Sequence, residues 1–382
     1  MRALVAAAIG LVPVLLFVLL VSLVDLPPDG PTSPRPLLTA DPGPKKQGVP
    51  VRRRAGLVLL SFAVLFAAMA PTLRWYAFPR LAKVPPNQYQ EVVLEARPAT
   101  LLDHGTLKSR EVEKITIVQT LKGNVEESRR IEAGTDRDVV VWDALSYVMG
   151  PDGGMVSKIP ERYVFDGHTQ DPVNAPGEMV DGDPVEREGI EFKWPFLTEK
   201  RDHLHFDAQT RTAAPIHYAG TRTFRGLEVS YYEQTVPWTR APMPKTMPIE
   251  GITPELIAST GLTRWYTTKR MFWVEPVTGA PVNGEEIHQE ELRGAKALLG
   301  TDTLTVFDGH VKMREDYIAD TVELVSAHRT TVLLLVSRLP WTFTFLALLL
   351  FALALRLEHR SRRPAPEPAP RPAPEPVVTP PV

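Results

Sequence analysis

Two apolar runs bracket the one large polar region of this chain, and each carries its basic residues on the side away from that region. The first covers residues 55–73 and follows Arg52, Arg53 and Arg54. The second lies within residues 330–355, is most apolar over 339–355, and precedes Arg356, Arg360, Arg362 and Arg363. Each is about the 17 to 25 residues a helix needs to cross the hydrocarbon core of a bilayer. Lys and Arg flanking a span are retained on the cytoplasmic side. The pattern therefore predicts a multi-pass protein of the cell membrane with residues 74–329 as one large extracytoplasmic domain.

A third apolar run, residues 1–24, has only Arg2 as a basic lead and no A-x-A cleavage site. It reads as an N-terminal transmembrane helix, with a signal-like segment as the alternative. Lys45, Lys46 and the arginines at 52–54 then hold residues 25–54 on the cytoplasmic side as a proline-rich linker. The 38 prolines cluster there and in the 356–382 tail, whose end has the composition of extended polyproline II and reads as a cytoplasmic spacer.

Between the spans the sequence alternates as an antiparallel sheet does. Residues 115–120, 139–142, 162–165, 190–194, 227–233 and 265–274 are rich in β-branched and aromatic side chains and predict strands. Three turns share one form, an acid followed three residues later by threonine: Asp166 with Thr169, Asp207 with Thr210, and Glu275 with Thr278. Such an acid can accept backbone N–H groups at a turn, and Gly279 supplies the positive φ of a bulged hairpin. The first and third turns continue alike, as Asp171-Pro-Val-Asn174 and Ala280-Pro-Val-Asn283. Upstream, Thr120-Leu-Lys-Gly123 is echoed by Thr223-Phe-Arg-Gly226. These echoes suggest two related β-units, or else a recurrence of common turn residues. Helix is sparse: Thr253-Pro254-Glu255 opens a short one that Gly261 stops, and a longer one begins near Lys312. The fold class is thus α+β, rich in β, with a largely antiparallel-sheet domain flanked by transmembrane helices.

The chemistry available is limited. The chain has no cysteine, which excludes thiolate catalysis and Fe–S clusters, and its net charge of −2 offers no nucleic-acid surface. His203 and His205 share a strand face, but zinc wants at least three protein ligands, so they read as an exposed or packing pair. No nucleophile elbow, zincin motif or phosphate loop occurs. Acids such as Asp181, Asp183, Glu186, Glu188, Glu285 and Glu286 read as solvated groups. No catalytic residue, metal or cofactor is expected.

Aromatic residues carry the functional signal. In Tyr231-Tyr232, Trp265-Tyr266 and Phe272-Trp273, neighbouring rings must point to opposite strand faces. Both faces are then apolar, either because protein covers the sheet twice or because one face lines a ligand cavity. Trp194, Phe196, Tyr231, Trp265, Phe272 and Trp273 are the candidate ligand-binding residues.

Three long stretches carry a resemblance: RRRAGLVLLSFAVLFAAMAPTLRWYAFPRL (52–81), GIEFKWPFLTEKR (189–201) and RWYTTKRMFWVEPVTGAPV (264–282). In this order they resemble the porin PorA family of actinobacterial envelope proteins, over roughly 52–355. The resemblance implies a two-helix-anchored protein with a large external domain, either porin-like or acting in lipoglycan assembly, and supplies no catalytic motif. The expected function is a non-enzymatic, membrane-anchored envelope protein whose external domain binds a lipid or lipoglycan intermediate. A porin or channel is the alternative, and an envelope polysaccharide enzyme the third. Expected partners are the membrane, that lipid or lipoglycan and other envelope-assembly proteins, and no nucleic acid.

Overall fold

Every second side chain is buried along the strand Thr263–Glu275, where Arg264, Tyr266, Thr268 and Arg270 point inward. This two-residue period recurs through the polar region and sets its architecture. The structure is a computed structural model describing residues 51–246, 253–294 and 300–361. The expectations for residues 1–24, for most of the 25–54 linker and for most of the 356–382 tail lie outside the described residues. The chain divides into two units, Met1–Trp75 with Ser337–Val382, and Tyr76–Val336.

The first unit contributes two apolar helices, Val51–Pro71 and Leu339–Ser361. The first begins inside the stretch expected to be linker. Gly56 lies beside Ala354, and Phe66 stacks on Phe343 at 5.4 Å, so the two helices run antiparallel. Ala63, Ala70, Ala347 and Ala354 are buried, at heptad spacing on each helix, whereas Leu57, Val64, Leu348 and Phe351 are exposed. Small residues thus form the seam between the helices and large apolar ones face outward.

The second unit is built on a 13-stranded antiparallel sheet. Its elements are β1 (Tyr89–Asp103), β2 (Lys108–Val112), β3 (Ile115–Gly123), α1 (Val125–Glu132), β4 (Val139–Met149), β5 (Met155–Asp166), β6 (Met179–Val180), β7 (Asp183–Pro184), β8 (His203–Asp207), β9 (Thr212–Phe224), β10 (Leu227–Ala241), α2 (Pro254–Ser259), β11 (Thr263–Glu275), β12 (Ala280–Arg293), β13 (Thr303–Met313) and α3 (Glu315–Leu333). The spatial order is β7-β6-β5-β4-β3-β1-β13-β12-β11-β10-β9-β8, with β2 paired to β1. Two meanders therefore spread in opposite directions from the central β1–β13 pair. Residues 120–123 end the first strand of the β3-β4-β5 meander, and residues 223–226 end the first strand of β9-β10-β11. The acid turns of Asp166 and Glu275 follow the third strand of each.

Large twisted sheets curl, and this one does: β5 and β11, with five strands between them in the order, line a common cavity. Side chains join its ends where no ladder does. Asp183 on β7 pairs with Arg211 in the β8–β9 turn and, at 2.5 Å, with Lys245. Nearby Arg187 is fully buried and bonds Glu161, Glu178 and Glu191 at 2.7, 2.9 and 2.9 Å.

Two expectations need correction. Residues 190–194 form no strand beyond a single parallel bridge from Ile190 to His205. Instead Trp194 is driven into the core, packing on Tyr232 and Phe272. The long C-terminal helix starts at Glu315 rather than near Lys312, because β13 holds the chain in register with β1 as far as Met313. Helix α1, which carried no expectation, is capped by Asn124 Oδ1 accepting the Glu127 N–H at 3.1 Å, with Glu126 and Glu127 in its first turn.

The three acid turns form as the sequence predicts. Asp166 accepts the N–H groups of His168 and Thr169, Asp207 those of the Thr210 backbone and hydroxyl, and Glu275 those of Val277 and Thr278. Glu275 is fully buried and also receives Arg329 of α3 at 3.1 Å. With Val322 and Val325 packed on Val229 and Val282, this seats the helix on the sheet.

Candidate ligand-binding cavity

The curl of the sheet encloses a cavity of about 310 Å³, within the size range of small-molecule sites. Leu101 and Leu102 of β1, Ile117 of β3, Val148 of β4, and Val156 and Ile159 of β5 line one side. Leu292 of β12 and Leu304, Val306 and Phe307 of β13 line another, and Leu256 and Ile257 of α2 cover it. Leu107 and Leu256 are 47 % and 52 % exposed, so the rim is apolar as well as the interior.

One wall is ionic, and its geometry follows from register. Arg270 stands directly opposite Glu286 and Thr268 opposite His288, while Arg264 lies diagonal to Glu290 on the same face of β11 and β12. Arg264 grips Glu290 with two bonds of 2.6 and 2.8 Å, and its other donors reach Gln209 Oε1 and the Pro242 carbonyl. His288 Nδ1 lies 3.0 Å from Glu286, and its Nε2 lies 3.6 Å from Glu290. Arg270 contacts Asp207 at 2.5 Å, Glu286 at 3.2 Å and the Tyr266 hydroxyl at 2.7 Å.

Burial opposes charge at Arg264, Arg270, Glu286, His288 and Glu290, and neighbours of opposite sign overcome it. For His288 burial alone would lower the pKa, but Glu286 and Glu290 raise it to about 9, so the ring is an imidazolium at neutral pH. Burial would raise Glu290 and Glu286, but Arg264 holds the first below the usual carboxylate range and Arg270 holds the second well below it. The rings of Tyr266 and Phe307 meet the imidazolium edge-on, each with its centroid 4.9 Å away. Three cations, Arg264, Arg270 and His288, thus face three carboxylates, Asp207, Glu286 and Glu290.

None of the six aromatic candidates lines this cavity. Trp194 and Phe272 belong to a packed cluster with Ile190, Ile216 and Tyr232. Tyr231 and Trp273 lie on the opposite sheet face, 4.9 Å apart, where Trp273 packs with α3 residues and Arg222 sits over Tyr231. Trp265 bonds Thr263 Oγ1 and carries the Arg293 guanidinium, which also contacts Trp238. Phe196 carries the Lys193 ammonium at 3.9 Å. At Phe272 and Trp273 protein covers both sheet faces, the Trp194 cluster on one and α3 on the other. His203 and His205 are buried beside Trp194 and Tyr232, and among the described residues no group of three or more potential ligands could hold a metal.

The cavity residues escaped notice because each strand contributes one or two ordinary aliphatic side chains, and only the curl assembles them. The ionic wall left a readable trace: the Arg264/Arg270 and Glu286/His288/Glu290 periodicities, which place charge on an inward face.

Comparison with known proteins bears on the whole chain. The family model described as Porin PorA matches residues 55–356. A protein of Corynebacterium resistens named Porin PorA is 28% identical over 220 residues, covering 41% of this chain and 53% of that protein. Another of the same name from Corynebacterium amycolatum is 24% identical over 297 residues, covering 62% of this chain and 77% of its own. This chain thus spans about half the length of the first relative and about three quarters of the second. A match over most of its length decides the affiliation: the chain belongs to the porin PorA family.

Proposed function

We propose that this chain acts at the cell-envelope membrane and forms a channel there, and the observation that carries this reading is its kinship with proteins named porins. Two helical stretches, Arg54–Leu81 and Glu315–Arg360, are long and apolar enough to cross a bilayer, with mean hydropathy of 2.1 and 1.8. With Arg52–Arg54 and the arginines after residue 355 kept on the cytoplasmic side, the β unit lies outside as an extracytoplasmic domain. The geometry restricts the kind of channel. A transmembrane barrel needs a closed ladder and an outward apolar band. Here β7 and the β8–β9 turn are joined only by side chains, and outward positions of β9 carry exposed His217 and Arg222. The helix hydroxyls of Ser61, Thr72, Thr342 and Thr344 bond carbonyls of their own helices. A pore therefore requires several copies of the chain. Full-length protein reconstituted in planar bilayers should give stepwise conductance. Silence across a range of voltages and lipid compositions refutes the channel.

A second reading rests on the cavity: an external domain that binds a lipid or lipoglycan intermediate for other envelope-assembly proteins. The relatives' name weighs toward the channel, and the apolar cavity toward the ligand. Both readings are of a non-enzymatic protein. Mass spectrometry of lipid co-purifying with the full-length chain tests the second, which fails if no stoichiometric lipid is retained.

A further inference from the structure

We propose that the cavity takes the uncharged hydrocarbon tail of one amphiphile and leaves the polar head outside, at the rim of Leu107 and Leu256. The proposal rests on the ligand-binding reading and specifies which part of the ligand enters. Size is the first argument. At about 310 Å³ the cavity lies at the low end of small-molecule sites, room for a length of chain rather than a whole glycolipid. The aliphatic walls and apolar rim suit a tail passing from a bilayer with little exposure to water.

The ionic wall supplies the second argument. It looks like a site for an anionic head, yet each of its cations already faces one or more carboxylates. Arg264 gives two hydrogen bonds to Glu290, one to Gln209 and one to the Pro242 carbonyl. His288 is held between Glu286 and Glu290, and Arg270 between Asp207 and Glu286. The three cations and three carboxylates cancel. An entering carboxylate or phosphate would lose its water, meet no free cation, and stand beside Glu290 in a medium that screens repulsion poorly. A neutral chain meets no such penalty.

The test uses the full-length chain in amphipol with two photoreactive probes of one chain length, decanoate and decanedioate, each carrying a diazirine on the chain; each leaves one carboxylate at the rim, and only decanedioate brings a second into the cavity. Labelling is mapped by peptide mass spectrometry and normalised to labelling of the helix Val51–Pro71. At neutral pH decanoate should label peptides containing Leu101, Val148 and Leu292 about tenfold or more above decanedioate. Val148→Trp, which fills the cavity, should abolish that labelling. Glu290→Gln, which leaves Arg264 and His288 one carboxylate short, should shift the ratio toward decanedioate; circular dichroism checks that each variant is folded. Equal or stronger labelling of the wild-type cavity by decanedioate overturns the proposal while leaving a ligand-binding cavity standing. No cavity labelling by either probe overturns both, and the wild-type comparison alone decides if the variants do not fold.

Discussion

Lowering the pH should unfold the β unit partly through one residue, His205. Its ring is buried between Trp194 and Phe272 at centroid distances of 6.1 and 5.7 Å. Burial, aided by the Arg270 charge, lowers its pKa from 6.5 to about 4. The folded state therefore favours the neutral ring, and this stability is present above pH 6.5 and lost as pH falls toward 4. At about 1.4 kcal/mol per unit the full effect is about 3 kcal/mol, of which about 2 kcal/mol is lost between pH 7 and pH 5. His205→Phe removes the titration and keeps an aromatic ring among aromatic neighbours. Urea unfolding of the full-length protein in micelles, followed by tryptophan fluorescence, gives the difference between wild type and variant at the two pH values. The wild type should lose about 2 kcal/mol more than the variant over that interval. Parallel pH profiles, agreeing within about 0.5 kcal/mol, would show that the buried ring does not resist protonation and would refute the reasoning.

The same assay at high pH should show the opposite sign at His288: its pKa is raised to about 9, so its stabilisation is full below 6.5 and disappears as pH passes 9, and His288→Gln should flatten that alkaline limb. Arg187→Met leaves Glu161, Glu178 and Glu191 buried without their shared cation and should cost about 3 to 5 kcal/mol in urea unfolding. Gly279→Ala should be far more damaging than Gly226→Ala. Both glycines have positive φ, but a Cβ at 279 would lie 2.1 Å from the Trp194 carbonyl oxygen, whereas at 226 it meets open space and only the backbone penalty of about 1 to 2 kcal/mol applies; equal losses in thermal melts would contradict the close approach. Because the sequence has no cysteine, Thr106→Cys and Pro370→Cys each create a single thiol. An impermeant maleimide on intact cells should label the first and not the second, and the reverse pattern would invert the proposed topology.

What the sequence could disclose depended on how local the cause was. The turns at Asp166, Asp207 and Glu275 were readable because an acid, a threonine and the intervening backbone complete the motif within four residues. The strand at 265–274 was readable from its alternation. Residues 190–194 misled because aromatic and β-branched content signals burial, and burial here comes from Trp194 plugging the sheet rather than from a ladder. The cavity was hidden for a different reason. Val156 and Leu292 are distant in sequence and in strand order, and they converge only through curl summed over many strands. Glu286 reads as a solvated loop acid until Arg270, Tyr266 and His288 are placed around it, since the partners that make burial tolerable sit on the neighbouring strand or two residues away on its own.

The contact between buried Glu275 and half-exposed Arg329 has a mechanical consequence. Helix α3 leads directly into the C-terminal apolar helix, so a pull on the chain at that end travels up α3. It enters the sheet first at Glu275, the same carboxylate that closes the β11–β12 turn through Thr278. A tug there loads a long hairpin at its corner and spreads over the many hydrogen bonds of the β11–β12 pair, rather than peeling off an edge strand. The domain is thus tethered at a point built to bear tension, and β12, which carries Glu286, His288 and Glu290, is the strand through which strain at the tether would reach the cavity wall.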